Sequence, residues 1–348
     1  MDKNMNCGTN SGIGGQAVLE GIMMRNRGRY AIAVRRPDGG IEVREDAYKS
    51  VIDIPALQKI PILRGVVNFI DSLVVGIRCL TYSASFFEDE EDLPGEGKEK
   101  TGRATERAAE KTEPTEAELA KKEKQEKLLM GGTVALSVVL AVLLFMALPL
   151  FLSRLIGRSL GSPLARSVLE AGIRVAVFLG YMIAISRMKD IQRTFAYHGA
   201  EHKCINCIES GHELTVENVM KSSRLHKRCG TSFLFFVIFV SVIFQMFIFA
   251  ESRLAALGIR LLLIPVIAGI SYEIIRLAGS SNHPAIALLS KPGLALQKLT
   301  TREPDESQAE VAIRAVEAVF DWHAFLQGKR GEETVIGSHE TAAEVRHE

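Results

Sequence analysis

The sequence predicts a mainly α, polytopic membrane helix bundle of about four spans, with a small N-terminal β-hairpin element and cytoplasmic helices. Three observations lead there. Leu128–Leu152 and Thr231–Ala250 carry no charge over the length a bilayer core demands, about 20 residues. Lysine and arginine gather on one side of these segments. Residues 88–127, by contrast, are so charged that they cannot bury enough apolar surface to fold alone. The averages, 47% hydrophobic with a formal net charge of +1, conceal this division. Near neutrality also gives no electrostatic case for a nucleic-acid partner.

In chain order, residues 1–60 form an N-terminal, cytoplasmic, β-containing segment. Its opening, MDKNMNCGTNSGIGG, has no apolar stretch, so no secretory signal is expected. GIGGQAVLEGIMMR (12–25) is rich in glycine, which suggests tight backbone contacts; no Gly-Lys-Ser/Thr follows, so it is not a phosphate loop. Glu20 reads there as a surface or capping residue before a site residue. YAIAVRRPDGGIEVRE (30–45) reads as two strands around the turn Pro37–Gly40. Residues 61–87 are an apolar helix pattern in which Arg64, Asp71 and Arg78 recur every seven residues on one face, an interfacial amphipathic helix and not a fifth span. Residues 88–127 read as a disordered linker.

The expected spans are 128–152, 168–186, 231–250 and 254–275. The second carries Glu170 and Arg174 at i,i+4, able to pair; the fourth carries Arg260 and Glu273. Lys121, Lys122, Lys124 and Lys127 precede the first span. Arg187, Lys189, Arg193 and Lys203 follow the second, and Lys221, Arg224, Lys227 and Arg228 precede the third. This bias puts both chain ends and the loop 187–230 in the cytoplasm, in the cell inner membrane, with membrane lipid as the first partner. The five cysteines (7, 79, 204, 207, 229) then face a reducing compartment and are free to bind metal. In the segment 276–328, Asp305 and Gln308 mark a capping-box start to a helix with Val311, Ala315, Val319 and Trp322 on one face. Residues 329–348 read as a disordered tail.

The loop 187–230 holds the densest chemistry. In His198-Gly-Ala-Glu-His202 the histidines stand four apart, so a helix puts both on one face with Glu201 beside them. This is the H-x-x-E-H arrangement of inverted zinc peptidases, in which the histidines bind zinc and the glutamate acts as base. Topology brings His226, Cys229 and Glu273 to the same end of the bundle. Glu273 is the expected third ligand, with His226 and Cys229 as nearby or alternative ligands. Three protein ligands leave a coordination position open. A rival reading joins Cys204-x-x-Cys207 and His226-x-x-Cys229 in a closed structural zinc site. A continuous helix turns Cys204 and Cys207 away from the histidine face, and CINCIE lacks the glycine a metal knuckle needs, which favours the first reading. A third reading leaves these groups as ordinary polar side chains at a membrane boundary.

GGQAVLEGIMMR (14–25), YHGAEHK (197–203), ELTVENV (213–219), RCGTSFL (228–234), ISYEIIR (270–276) and KPGLALQKLTTREPD (291–305) together resemble the YqhQ family of bacterial membrane proteins. That family is of unknown function and is described as predicted metal-dependent enzymes. The resemblance implies a multispan membrane protein. The function expected from the residues is metal-dependent hydrolysis of a peptide or lipid-linked substrate, with a divalent metal, zinc, held by His198, His202 and Glu273 and with Glu201 as general base. The alternative is a non-enzymatic membrane scaffold or regulator with a structural metal site.

Overall fold

The computed structural model describes residues 10–87, 131–157, 162–248, 252–280 and 283–328. The expected linker 88–127 and tail 329–348 lie outside the described residues, as do Cys7 and the first residues of the segment 128–152. The chain divides into two compact units, residues 90–179 and the remainder.

The N-terminal segment is a four-stranded antiparallel meander, β1 (Ile13–Val18), β2 (Gly21–Asn26), β3 (Arg29–Arg35) and β4 (Ile41–Ala47), in the order β1-β2-β3-β4. The strand pair expected at 30–45 is β3–β4. The glycine-rich stretch before it, read only as tight backbone, supplies β1 and β2. Its turn is made by Leu19 and Glu20, Glu20 standing at φ +49°. Alternation sorts the sheet's side chains into two faces. Ile22, Met24, Ala31 and Ala33 belong to one core; Val18, Met23, Tyr30, Ile32 and Val34 belong to the other. Both faces are covered, which is why β3 reads as an unbroken apolar run.

One cover is α2 (Leu63–Ala84), preceded by the short α1 (Pro55–Lys59); Val75 and Cys79 of α2 enter the second core. Asp71 is buried within the protein, accepting from the Tyr48 hydroxyl (2.7 Å) and the Val51 amide (2.8 Å). Leu73, Ile77 and Leu80 form an exposed apolar stripe at helical spacing. The other cover combines α5 (Lys189–Glu209), α6 (Val216–Lys221) and α10 (Glu306–Val319). α10 begins at the capping box of Asp305 and Gln308, and Val311, Ala315 and Val319 face the core with Ile205 and Ile208 of α5. Each of these valines and isoleucines contributes about 1.5–3 kcal/mol by leaving water.

Among the described residues, three helices are long and apolar enough to cross a membrane: α3 (Gly131–Ile156), with a π-type stretch at Leu143–Ala147; a segment of α4 (Pro163–Ile185); and Leu254–Gly279 within α8 (Arg253–Ser280). In the smaller unit Arg174 pairs with Glu170 at 3.4 Å, and Phe145 meets Phe178. The sequence leads to four spans; its third, 231–250, is here the 17-residue α7 (Gly230–Met246). At 1.5 Å per residue that is about 25 Å, short of the roughly 30 Å hydrocarbon core. α8 packs on α7, and on α2 where Gly65 and Gly269 let the backbones meet: a Cβ on Gly65 would lie 2.8 Å from the Gly269 carbonyl oxygen. One further helix, α9 (Pro284–Thr300), packs on α7; it lies in the segment for which the sequence marks only the later helix α10.

Candidate metal centre

α5 is continuous through His198, Glu201, His202, Cys204 and Cys207, so side-chain direction follows the 3.6-residue period. His198 and His202 share a face, their ring centroids 4.4 Å apart. Each imidazole is oriented by a backbone carbonyl: His198 Nδ1 lies 2.9 Å from Thr300 O, and His202 Nδ1 lies 2.6 Å from Arg224 O. A carbonyl only accepts, so both Nδ1 atoms carry a proton and the Nε2 atoms are the positions at which a ligand ion could bind, displacing any proton held there. These Nε2 atoms turn toward Cys229, whose sulfur is 3.2 Å from His198 Nε2. Among the described residues, the ligand atoms of His198, His202 and Cys229 form a group lying within 4.8 Å of one another.

The surroundings fit a cation. His202 is 1% exposed, and Cys229 and Glu201 are 5% exposed. His202 Nε2 and Glu201 Oε2 are buried with no hydrogen-bond partner among the described residues. Leaving such groups unpaired costs about 1–3 kcal/mol each, so their convergence calls for an ion or a polar ligand. Two imidazoles and a thiolate suit zinc, whose bonds of about 2.0–2.3 Å put neighbouring ligands roughly 3.3–3.6 Å apart.

Charge is coupled across the cluster. Burial opposes ionisation of Cys229, but His202 and His198 outweigh it and take the thiol well below its usual range. Burial likewise presses His198 toward neutrality, and the Cys229 thiolate overcomes it, lifting His198 to about 9. Burial raises the Glu201 carboxyl despite both imidazoles. Cys229 also caps α7, its sulfur accepting from the Thr231 amide at 3.3 Å.

The protein closes around the cluster through backbone approaches. At Gly199 a Cβ would collide with the Arg302 carbonyl oxygen; glycine there lets the segment after α9 cross α5, with Arg302 N donating to Phe195 O at 2.9 Å. At Gly15 of β1 a Cβ would lie 2.9 Å from the Glu201 carboxyl carbon. Gln297 of α9 fixes the loop that carries Cys229: its Oε1 accepts from His226 N (2.9 Å), and its Nε2 donates to His226 O (2.7 Å) and Ser232 Oγ (2.8 Å).

Two of the expected ligands are engaged elsewhere. Glu273 is the principal correction. Its carboxylate receives both arms of the Arg64 guanidinium from α2, one at 2.6 Å, with Arg276 at 3.7 Å. Topology brings Glu273 to the right end of the bundle, but Gly269, Tyr272 and Glu273 line the side of α8 that packs on α2. Cys229 stands in the third ligand position. Glu273→Gln is therefore expected to keep its full complement of metal, measured by elemental analysis of the detergent-purified protein. His226 lies beside the cluster, its ring 5.7 Å from that of His202, with Nε2 3.5 Å from Glu209 Oε2. Burial opposes ionisation of Glu209, but His226, Arg228 and Ser11 hold it down at about 2.

Cys204 lies in the apolar core and Cys207 faces the Glu213 carbonyl (3.4 Å), so neither turns toward the cluster. Glu20 anchors the β1–β2 turn to α5, accepting from Arg193 (2.6 Å) and from Tyr197 (3.3 Å). The backbone carbonyls of Thr300 and Arg224 were invisible in the sequence. Their only trace was Gly199, a small residue between the histidines.

A helical chain with, among the described residues, three potential spans and a His2Cys cluster defines the class of this protein. The family model described as "Protein of unknown function (DUF1385)" matches residues 60–322, and the chain belongs to that family. It is similar to the uncharacterized protein YqhQ of Bacillus subtilis (strain 168), 34% identical over 307 residues that cover 87% of this chain and 90% of that protein. No solved structure matches.

Proposed function

We propose that this protein is a membrane-resident, metal-dependent hydrolase whose site faces the cytoplasm. In this reading α3, α4, α8 and the uncharged stretch 231–250, of which α7 is the helical part, cross the inner membrane and both chain ends are cytoplasmic, as the Lys/Arg distribution favours. His198, His202 and Cys229 would hold one divalent ion, zinc, through three protein ligands. The observation that carries the reading is the pair of Nδ1-to-carbonyl hydrogen bonds, which aim both Nε2 atoms at the Cys229 sulfur. Carbonyl partners of this kind recur behind metal-ligating histidines, where they fix tautomer and ring orientation. A bound ion would supply Lewis acidity. Glu201, buried beside both imidazoles, would take a proton from the attacking water and return it to the leaving group.

A second reading, a scaffold whose metal is only structural, is favoured by the near-complete burial of His202 and Cys229. Cobalt substitution separates the two. With an open position, azide or cyanide shifts the visible spectrum of the cobalt protein, and Glu201→Gln retains stoichiometric metal. A spectrum indifferent to both anions means a closed site and removes the hydrolase reading.

A further inference from the structure

α9 carries an organised outer face with no covering element. Around the helix, Ser290, Gly293, Leu296, Gln297 and Thr300 are buried, facing inward. The opposite side exposes Ala285, Leu288, Pro292 and Ala295 at i, i+3, i+7 and i+10, one apolar stripe, with Leu288 63% exposed. Lys291 and Lys298, seven residues apart, lie along one edge of that stripe; both are exposed and form no ion pair among the described residues. The inward side of α9 packs on α7, which is apolar throughout, and more lightly on α8, where Leu262 is 79% exposed.

We propose that the outer face of α9 is seated on an anionic lipid surface, with Leu288 and Pro292 at the acyl boundary and Lys291 and Lys298 on phosphate headgroups. Two features select lipid. α9 packs on α7 and α8, helices that themselves expose large apolar side chains such as Leu262, and two ammonium groups on flexible stems, without an ion pair among the described residues, match a layer of phosphates. α9 is too polar to be a span itself and has the composition of an interfacial helix. Its last residue gives the carbonyl that orients His198, and Gln297 pins the loop carrying Cys229. The metal site therefore stands at headgroup height, and a substrate reaching it from the leaflet is an amphiphile. The inference rests on the membrane reading above.

Depth-dependent quenching tests it. A fluorophore is placed at Leu288→Cys, or at Leu262→Cys as the reference within α8, in full-length protein carrying Cys7→Ser; the remaining cysteines are buried. The protein is reconstituted in nanodiscs of phosphatidylcholine with or without phosphatidylglycerol. The label at 288 is expected to be quenched by lipid carrying a shallow acyl nitroxide and shielded from aqueous iodide. With phosphatidylglycerol present, Lys291→Glu with Lys298→Glu should raise iodide access by about fivefold for each charge reversed, while zwitterionic discs show no change. A 288 label open to iodide while the 262 label is quenched by lipid overturns the proposal and leaves the membrane reading intact. Shielding from iodide without lipid quenching means that a protein covers α9, and also overturns it. An unquenched 262 label removes the membrane reading and this proposal together.

Discussion

His202→Ala should strip the protein of its metal. His202 is the least exposed member of the cluster, and its Nε2 has no other partner among the described residues, so its removal takes away a ligand atom held free for an ion. Zinc bound through four positions is worth about 10–16 kcal/mol in small protein sites, roughly 2.5–4 kcal/mol per position. Losing one ligand should weaken binding by about 100-fold or more. Elemental analysis after dialysis against a weak chelator reads this directly: near one equivalent for the parent protein, near zero for His202→Ala. Cys229→Ser should behave alike, because a hydroxyl does not ionise as the thiol beside His198 and His202 does. Cys204→Ser and Cys207→Ser should retain the ion, since both sulfurs point away from it. Retention in His202→Ala with loss in the Cys204 and Cys207 variants would shift the site to the rival zinc-ribbon arrangement.

Gly199→Ala should be nearly as damaging although it alters no polar atom. The added methyl would occupy the space of the Arg302 carbonyl oxygen, so the crossing segment must lift from α5. Two consequences follow from one displacement. The Arg302-to-Phe195 backbone hydrogen bond stretches, and the adjacent Thr300 carbonyl withdraws from His198 Nδ1. Overpacking of this kind costs about 1–3 kcal/mol, and loss of the group that orients a metal-binding histidine costs about 10–100-fold in affinity. Thermal unfolding in detergent with and without added zinc should show a lower midpoint and a smaller zinc-induced rise than in the parent protein. A variant that matches the parent in both would show that this crossing does not support the site.

The parts of the site visible in the sequence are those that share one helix. Four-residue spacing places His198 and His202 together with no tertiary information, and the same period sends Cys204 and Cys207 elsewhere. The third ligand lies on another element, where spacing is silent. Lys/Arg counting brings both Cys229 and Glu273 to one end of the bundle, but end is not face. Glu273 belongs to the side of α8 that meets α2 at Gly65, and Arg64, which reads in sequence as one of three charges on an interfacial helix, is its partner. Backbone groups have no signature in sequence, so the carbonyls of Thr300 and Arg224 could not be anticipated. β1 and β2 were hidden by their glycines, which weaken any strand pattern even where, as at Gly15, glycine is what lets the strand lie against Glu201. α9 was hidden by Pro284 and Pro292; Pro284 stands in the first turn, where proline is tolerated, and Pro292 lies on the exposed face. The capping box of α10 and the strand pair β3–β4 were legible because each is a local rule.

Zinc K-edge X-ray absorption on the full-length protein in detergent examines the ligand set itself. Two imidazole nitrogens near 2.0 Å and a single sulfur near 2.3 Å are expected, with a light-atom scatterer completing the shell. Cys229→Ser should abolish the sulfur contribution. A shell with two or more sulfurs, or a sulfur-free shell in the parent protein, would contradict the His198–His202–Cys229 centre.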